Sequence, residues 1–152
     1  MSPNVGAVRA RHRVPQSTSH IFSVTSFSEL ARDAREAERH NRLHPEQPPR
    51  VSHLETCLNR GVPIVAATDY VRAYPELIAA HVGRRYLALG TDGFGRSDTR
   101  AVLREFFEVD RRHIAVAAIA ELVREGVLDA RTQKAAITRY SVNVEQADPW
   151  MI

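Results

Sequence analysis

The stretch Thr91-Asp92-Gly93-Phe94-Gly95-Arg96-Ser97-Asp98 restricts the possible folds of this chain more than any other. The strand-like run Arg85-Tyr86-Leu87-Ala88-Leu89 leads into it, and a helical pattern from Arg100 to Phe107 leaves it. Gly93 and Gly95 permit backbone angles that a side chain forbids. Phe94 is then free to point into a neighbouring surface. Open α/β folds place ligands and contacts at the carboxyl ends of their strands, where this turn sits. The loop can therefore cradle a phosphate or lock one protein surface to another.

The remaining pattern agrees with an α/β fold. Ile21 to Phe27 alternates apolar and small polar residues, which predicts a strand. Ser28 is placed to cap a charged helix from Glu29 to about Leu43, with Leu30, Ala34 and Ala37 as its apolar stripe. Pro45, Pro48 and Pro49 make the next stretch a loop. Ser52 and Glu55 form a capping-box pattern for a short helix through Leu58. Pro63 to Thr68 reads as a strand buried on both faces, and Val71 to His81 as a helix with Pro75 near its first turn. Three helices follow. Val102, Leu103, Phe106 and Phe107 face inward on the first. Asp110 caps the second, which is apolar all round and so reads as a core helix, and Asp129 caps the third. Strands alternating with helices predict a three-layer α/β sandwich: a small, mostly parallel sheet with helices on both faces. So few strands leave an edge open, and the chain reads as most of a domain rather than all of one.

Composition narrows the classes. The 152 residues suit one domain, and 43% hydrophobic with 26% charged residues is ordinary for a globular protein. The net charge is +3, and Arg9, Arg11 and Arg13 precede the first carboxylate, Glu29. No aromatic-interleaved basic patch accompanies that charge, so a nucleic-acid partner is not expected. Cys57 is the single cysteine, which excludes an internal disulfide and a cysteine metal cluster and agrees with a cytoplasmic location. No apolar run approaches the ~18 residues of a membrane span. Residues 1–20 show no period and read as a disordered segment, with the folded domain over 21–152.

Candidate chemistry is sparse. The glycine loop offers serine, threonine and arginine donors ahead of a helix, but lacks the lysine of a P-loop and the spacing of a dinucleotide fingerprint. The simpler reading is a tight strand–helix connection: Asp92 bonds turn amides, Ser97 or Asp98 caps the helix, and Phe94 packs in an interface. Asp92 and Asp98 flank the loop and could approach one another. His40 and His44 have the four-residue spacing of a helical metal pair, but Pro45 follows directly. His113 reads as a surface residue. No nucleophile motif is present, so no catalytic, cofactor-binding or metal residue is assigned.

Ser23-Val24-Thr25-Ser26-Phe27-Ser28-Glu29-Leu30-Ala31-Arg32-Asp33, then Glu38-Arg39, Asn41 through Leu43-His44-Pro45 and Pro49-Arg50-Val51, resemble the C-terminal region of the homodimeric bacterial pyruvate dehydrogenase E1 component. So do Ala67-Thr68-Asp69-Tyr70, Leu89 through Asp98, Phe107-Glu108-Val109-Asp110, and Ala117-Ala118 through Glu121-Leu122. The segment LGTDGFGRSD is long and unusual enough to be specific.

The resemblance implies a transketolase C-terminal-like domain, here without its first strand and helix. It implies a family enzyme that decarboxylates pyruvate with thiamine diphosphate and Mg²⁺ and acetylates the lipoyl group of the E2 dihydrolipoyl acetyltransferase. The implied partners are the remaining E1 domains, a second E1 subunit and the E2 complex. The family's cofactor motif, GDG followed by NN, is missing: Asp92-Gly93 stands alone and no Asn-Asn pair occurs. No catalytic residue carries over. Three readings follow: a catalytically silent C-terminal domain of E1 that supports assembly, a stand-alone module docking on E1 or E2, and a phosphate- or nucleotide-binding domain.

Overall fold

The computed structural model describes residues 10–14 and 17–152. Strands β1 (Ala10–Val14) and β2 (Ser17–Ile21) pair antiparallel, Ala10 opposite Ile21. This corrects the expectation of disorder over 1–20 wherever that stretch is described; residues 1–9, 15 and 16 lie outside the described residues. The expected strand over 21–27 also shifts. Pairing stops at Ile21, and residues 22–26 carry no ladder.

Helix α1 (Phe27–Leu43) starts two residues before the expected Glu29, because Ser26 rather than Ser28 caps it. Ser26 Oγ accepts the Glu29 amide proton at 3.2 Å and lies 3.0 Å from Ser28 Oγ. Such a cap stabilises a helix by about 1 kcal/mol. Helix α2 (His53–Leu58) is capped by Ser52 Oγ as the sequence predicts. Leu30, Ala31 and Ala34 of α1, Leu54 of α2 and Ile78 form the buried cluster, with Val24, Phe27, Leu58, Leu77, Val82 and Tyr86 around it.

Strands β3 (Ile64–Ala67) and β4 (Tyr86–Leu89) are parallel, with Ile64 opposite Tyr86 and Ala67 opposite Leu89. Between them the expected helix over 71–81 splits into α3 (Ala73–Glu76) and a 3₁₀ turn, Ala79–His81. The reason is local. The Tyr86 hydroxyl donates to the Pro75 carbonyl at 2.7 Å, and that carbonyl takes Ile78 N–H at 3.4 Å rather than continuing the α-helical ladder. Burial, then the charge of Glu76, pushes the Tyr86 hydroxyl pKa up.

Tyr86 packs against the α1–α2 cluster. Strand alternation turns Arg85 to the opposite face, where its Nε donates to Glu121 of helix α5 (Arg111–Arg124) at 2.7 Å. Helices thus cover both faces of the parallel sheet, as expected. Helices α4 (Arg100–Phe106) and α6 (Ala130–Tyr140) complete the set, α6 packing on α5.

Several expectations about burial are corrected. β3 is half-buried with Ala67 exposed, because it has a strand neighbour on one side alone among the described residues. In α5 the apolar side chains are half-buried, and the fully buried residue is Glu121, its side chain 3% exposed. Glu121 accepts from Arg85 and, at 2.9 Å, from Arg124, so it pins α5 to the sheet. On α4, Phe106 and Phe107 meet edge to face at 4.9 Å, whereas Val102 is exposed rather than inward.

Asp110 caps α5 by accepting the amide protons of Arg112 at 2.8 Å and His113 at 3.0 Å. His113 is not a surface residue: its ring folds onto Asp110, Nδ1 to Oδ1 2.9 Å, and is 11% exposed. Burial raises the Asp110 pKa, but the His113 amide, the His113 ring and Arg112 outweigh it and hold it to about 2. A depressed carboxyl stabilises the fold above its unfolded pKa, near 3.9, and loses that contribution as pH falls through the folded value. Stability should therefore fall by about 2 kcal/mol between about pH 4 and pH 2 on this account. Denaturant titrations across that range should show a shallower slope for Asp110→Asn. An unchanged slope would contradict the assignment.

Candidate functional site

The glycine loop runs from Gly90 at the end of β4 to Thr99, which caps α4. The cap is neither Ser97 nor Asp98. Thr99 Oγ1 accepts from Val102 N, while Asp98 Oδ1 accepts the neighbouring Thr99 amide proton at 2.6 Å. Asp92 turns away from Asp98. Its two oxygens accept from the Arg72 amide at 3.2 Å and the Arg72 Nε at 2.5 Å. The two acids flanking the loop thus take separate partners.

Close packing explains the glycines. A Cβ on Gly90 would lie 2.7 Å from both the Arg72 amide nitrogen and the Tyr70 carbonyl oxygen. Gly93 has φ +104°, and a Cβ there would lie 2.9 Å from the Pro149 carbonyl oxygen and 3.0 Å from Trp150 Cα. Gly95 differs from the expectation: its φ is unexceptional, and a Cβ there would meet nothing within 4 Å. Gly90 and Gly93 are thus required by the backbone packed against them, and Gly95 is not.

The loop is tied inward by polar groups. The Thr91 amide donates to the Tyr70 carbonyl at 2.9 Å and its hydroxyl to the Asp69 carbonyl at 3.1 Å. Asp69 in turn holds α4 through both oxygens, accepting from Arg104 at 3.0 and 2.7 Å. Those bonds, partly opposed by burial, draw the Asp69 pKa down. The Arg72 guanidinium stacks on the Trp150 ring at 4.1 Å, and Arg96 stacks on Phe106 at 4.1 Å.

What faces outward is mixed, apolar at the tip and polar beside it, where Arg96 and Asp98 are exposed. Phe94 at the tip is 79% exposed, and Ser97 is exposed beside it. Around the same loop stand Tyr70, 71% exposed, Tyr74, Trp150 and Met151. Tyr70 and Tyr74 meet edge to face at 6.1 Å. Exposed aromatic groups on a hydrogen-bonded frame suit recognition of another protein surface.

Sequence reasoning found the loop but missed Arg72 and the C-terminal segment that brace it. The segment did carry a signal. Asp148 caps the 3₁₀ turn Pro149–Met151 with proline at its start, a helix-initiation pattern next to the single tryptophan. His40 and His44 do not converge on a metal; their rings stack at 4.5 Å. Burial, then Arg50 and His44, lowers the His40 pKa.

A separate cavity of about 300 Å³ lies between α1, α2 and the turn at 79–81. Glu38 and His81 close one wall at 2.6 Å, and Asn41 is spent on the Arg50 backbone.

A parallel sheet sandwiched by helices, with a braced glycine loop after its strand, defines a transketolase-like C-terminal fold. The sequence model of the transketolase-like TK C-terminal domain matches residues 6–110, and the chain belongs to that family. Its similarity is to pyruvate dehydrogenase E1 components. It is 47% identical to that of Haemophilus influenzae over 133 residues, 87% of this chain and 15% of the relative. Identity to the Cupriavidus necator protein is 46% over 136 residues, 88% of this chain and 15% of the relative. For Escherichia coli it is 43% over 132 residues, 86% and 15%. The chain thus spans about 15% of the length of the curated relatives it matches. No helix among the described residues is long and apolar enough to cross a membrane.

The loop does not fit the thiamine diphosphate and Mg²⁺ that the family resemblance implies. Both Asp92 oxygens are engaged by Arg72, and Pro149 and Trp150 fill the space over Gly93. Among the described residues no group of three His, Cys, Asp or Glu is placed to hold a metal ion.

Proposed function

We propose that this chain is an assembly domain of an E1-type pyruvate dehydrogenase. It contributes packing surface, not reacting groups, to the remaining domains of an E1 polypeptide and to a second E1 subunit. The exposed cluster around Phe94, on a loop whose Thr91 and Asp92 are tied inward, carries this reading. In the assembled enzyme, thiamine diphosphate and Mg²⁺ supply the decarboxylation chemistry from parts of E1 that this chain does not span. The assembled enzyme acetylates the lipoyl group of E2 in the cytoplasm, and this domain reaches E2 as part of that whole.

The test co-expresses the chain with an E1-type relative shortened to end before the stretch matched here. The two should co-purify at physiological salt and decarboxylate pyruvate together. The chain alone should show no turnover with pyruvate, thiamine diphosphate and Mg²⁺. Steady turnover by the chain alone, or failure of the two polypeptides to associate, would overturn the reading. Phe94→Ala should weaken association by about tenfold, the usual loss for an aromatic anchor.

A further inference from the structure

The cavity between α1, α2 and the turn at 79–81 is separate from the glycine loop and from the aromatic groups around it. Its volume, about 300 Å³, lies at the lower end for sites that hold small molecules. Ala37, Leu54 and Leu58 give it an apolar floor. His81 lines it too, with a side chain only 10% exposed. The Glu38 carboxylate lies 2.6 Å from His81 Nδ1. An ionised carboxylate only accepts, so Nδ1 carries the proton and Nε2 of the neutral ring presents a lone pair. Nε2 has no partner among the described residues, and no buried polar atom there lacks one, so Nε2 is open to a ligand. Arg84 and Glu55 add one charge of each sign to the lining. Both are exposed, and neither side chain has a hydrogen-bond or ion-pair partner among the described residues. The other cation, Arg50, is engaged: Glu36 stands 3.8 Å away, and Asn41 holds its backbone.

We infer that this cavity binds a small α-amino acid with an aliphatic side chain. The inference goes beyond the assembly reading and does not depend on it. Each part of such a ligand has a counterpart on the lining. Its carboxylate pairs with the Arg84 guanidinium, in a hydrogen bond strengthened by charge on both sides. Its ammonium donates to the Glu55 carboxylate and to the His81 lone pair. Its side chain covers Ala37, Leu54 and Leu58 and takes their surface out of water. The charges decide the class. Glu38 is spent on His81 and Arg50 leans toward Glu36, which leaves one cation and one anion to be matched. A zwitterion matches both. A phosphate would meet the like charge of Glu55, and a metal ion that of Arg84. An uncharged apolar molecule would cover both groups and pair with neither, which is costly.

The test titrates the whole chain with L-valine and with L-leucine. Nuclear magnetic resonance follows the His81 ring, and calorimetry gives the affinity. At least one of the two should shift the ring signals saturably, with a Kd at or below about 1 mM. Isovalerate is valine without its ammonium, and isobutylamine is valine without its carboxylate. Each should bind about tenfold more weakly than L-valine, or weaker still. Arg84→Gln should weaken L-valine and isovalerate by about tenfold and leave isobutylamine unchanged. Glu55→Gln should weaken L-valine and isobutylamine and leave isovalerate unchanged. Both residues are exposed, so circular dichroism should not change in either variant. No saturation by either amino acid up to about 10 mM overturns the proposal. Isovalerate or inorganic phosphate binding as tightly as L-valine makes this a plain anion site and also overturns it. So does a loss that is equal for all three valine-derived probes in both variants. The titrations of the unaltered chain decide even if a variant fails to fold.

Discussion

Gly93→Ala should destabilise the protein by about 3 kcal/mol and release the C-terminal segment. Two costs add. A side chain at φ +104° is strained by roughly 1–3 kcal/mol. The new methyl also lies 2.9 Å from the Pro149 carbonyl oxygen and 3.0 Å from Trp150 Cα, backbone atoms that can yield only if the segment moves; such overpacking costs typically about 1–3 kcal/mol. Trp150 is the single tryptophan, and Arg72 stacks on its ring, so its fluorescence reports the release directly. Gly95→Ala is the matched control. Nothing lies within 4 Å of its Cβ position, and its stability should change by no more than about 0.5 kcal/mol. Equal effects at the two glycines, by urea denaturation, would refute the bracing of the loop by Pro149 and Trp150.

Ile78→Ala should cost about 3 kcal/mol, within the range for truncating a buried aliphatic side chain. Ile78 is 1% exposed and sits in the cluster of Leu30, Ala31, Ala34 and Leu54. The cluster joins α1, α2 and the segment after α3, and Tyr86 packs on it from the sheet. The cavity left behind would therefore loosen the contact between one helical layer and the sheet. Val102→Ala is the contrast, since Val102 is 47% exposed and its loss should change the urea midpoint little. A cost below about 1 kcal/mol for Ile78→Ala would mean that the layer does not depend on this cluster.

Most of the helix caps and the loop after β4 could be read from residue order alone. Ser52, Asp110 and Asp129 cap the helices they precede, because a cap needs only a short polar side chain three residues from an amide. The run Tyr86–Leu89, the turn after it and the helix from Arg100 follow from composition and period alone. The resemblance carried by LGTDGFGRSD also lies in the order of residues, and it marks the family without reference to any contact.

Which of these features meet depends on contacts between segments distant in sequence. Asp92 could have bonded its own turn, but Arg72, twenty residues away in sequence, takes both its oxygens. The two glycines look alike in sequence, yet only Gly93 has a backbone packed against it. The apolar period of α5 predicts a core helix, and burial depends on neighbours that a period cannot supply. The strand pattern over residues 21–27 goes unpaired past Ile21 for the same reason. A ladder is a property of two segments, whereas a cap or a turn is a property of one.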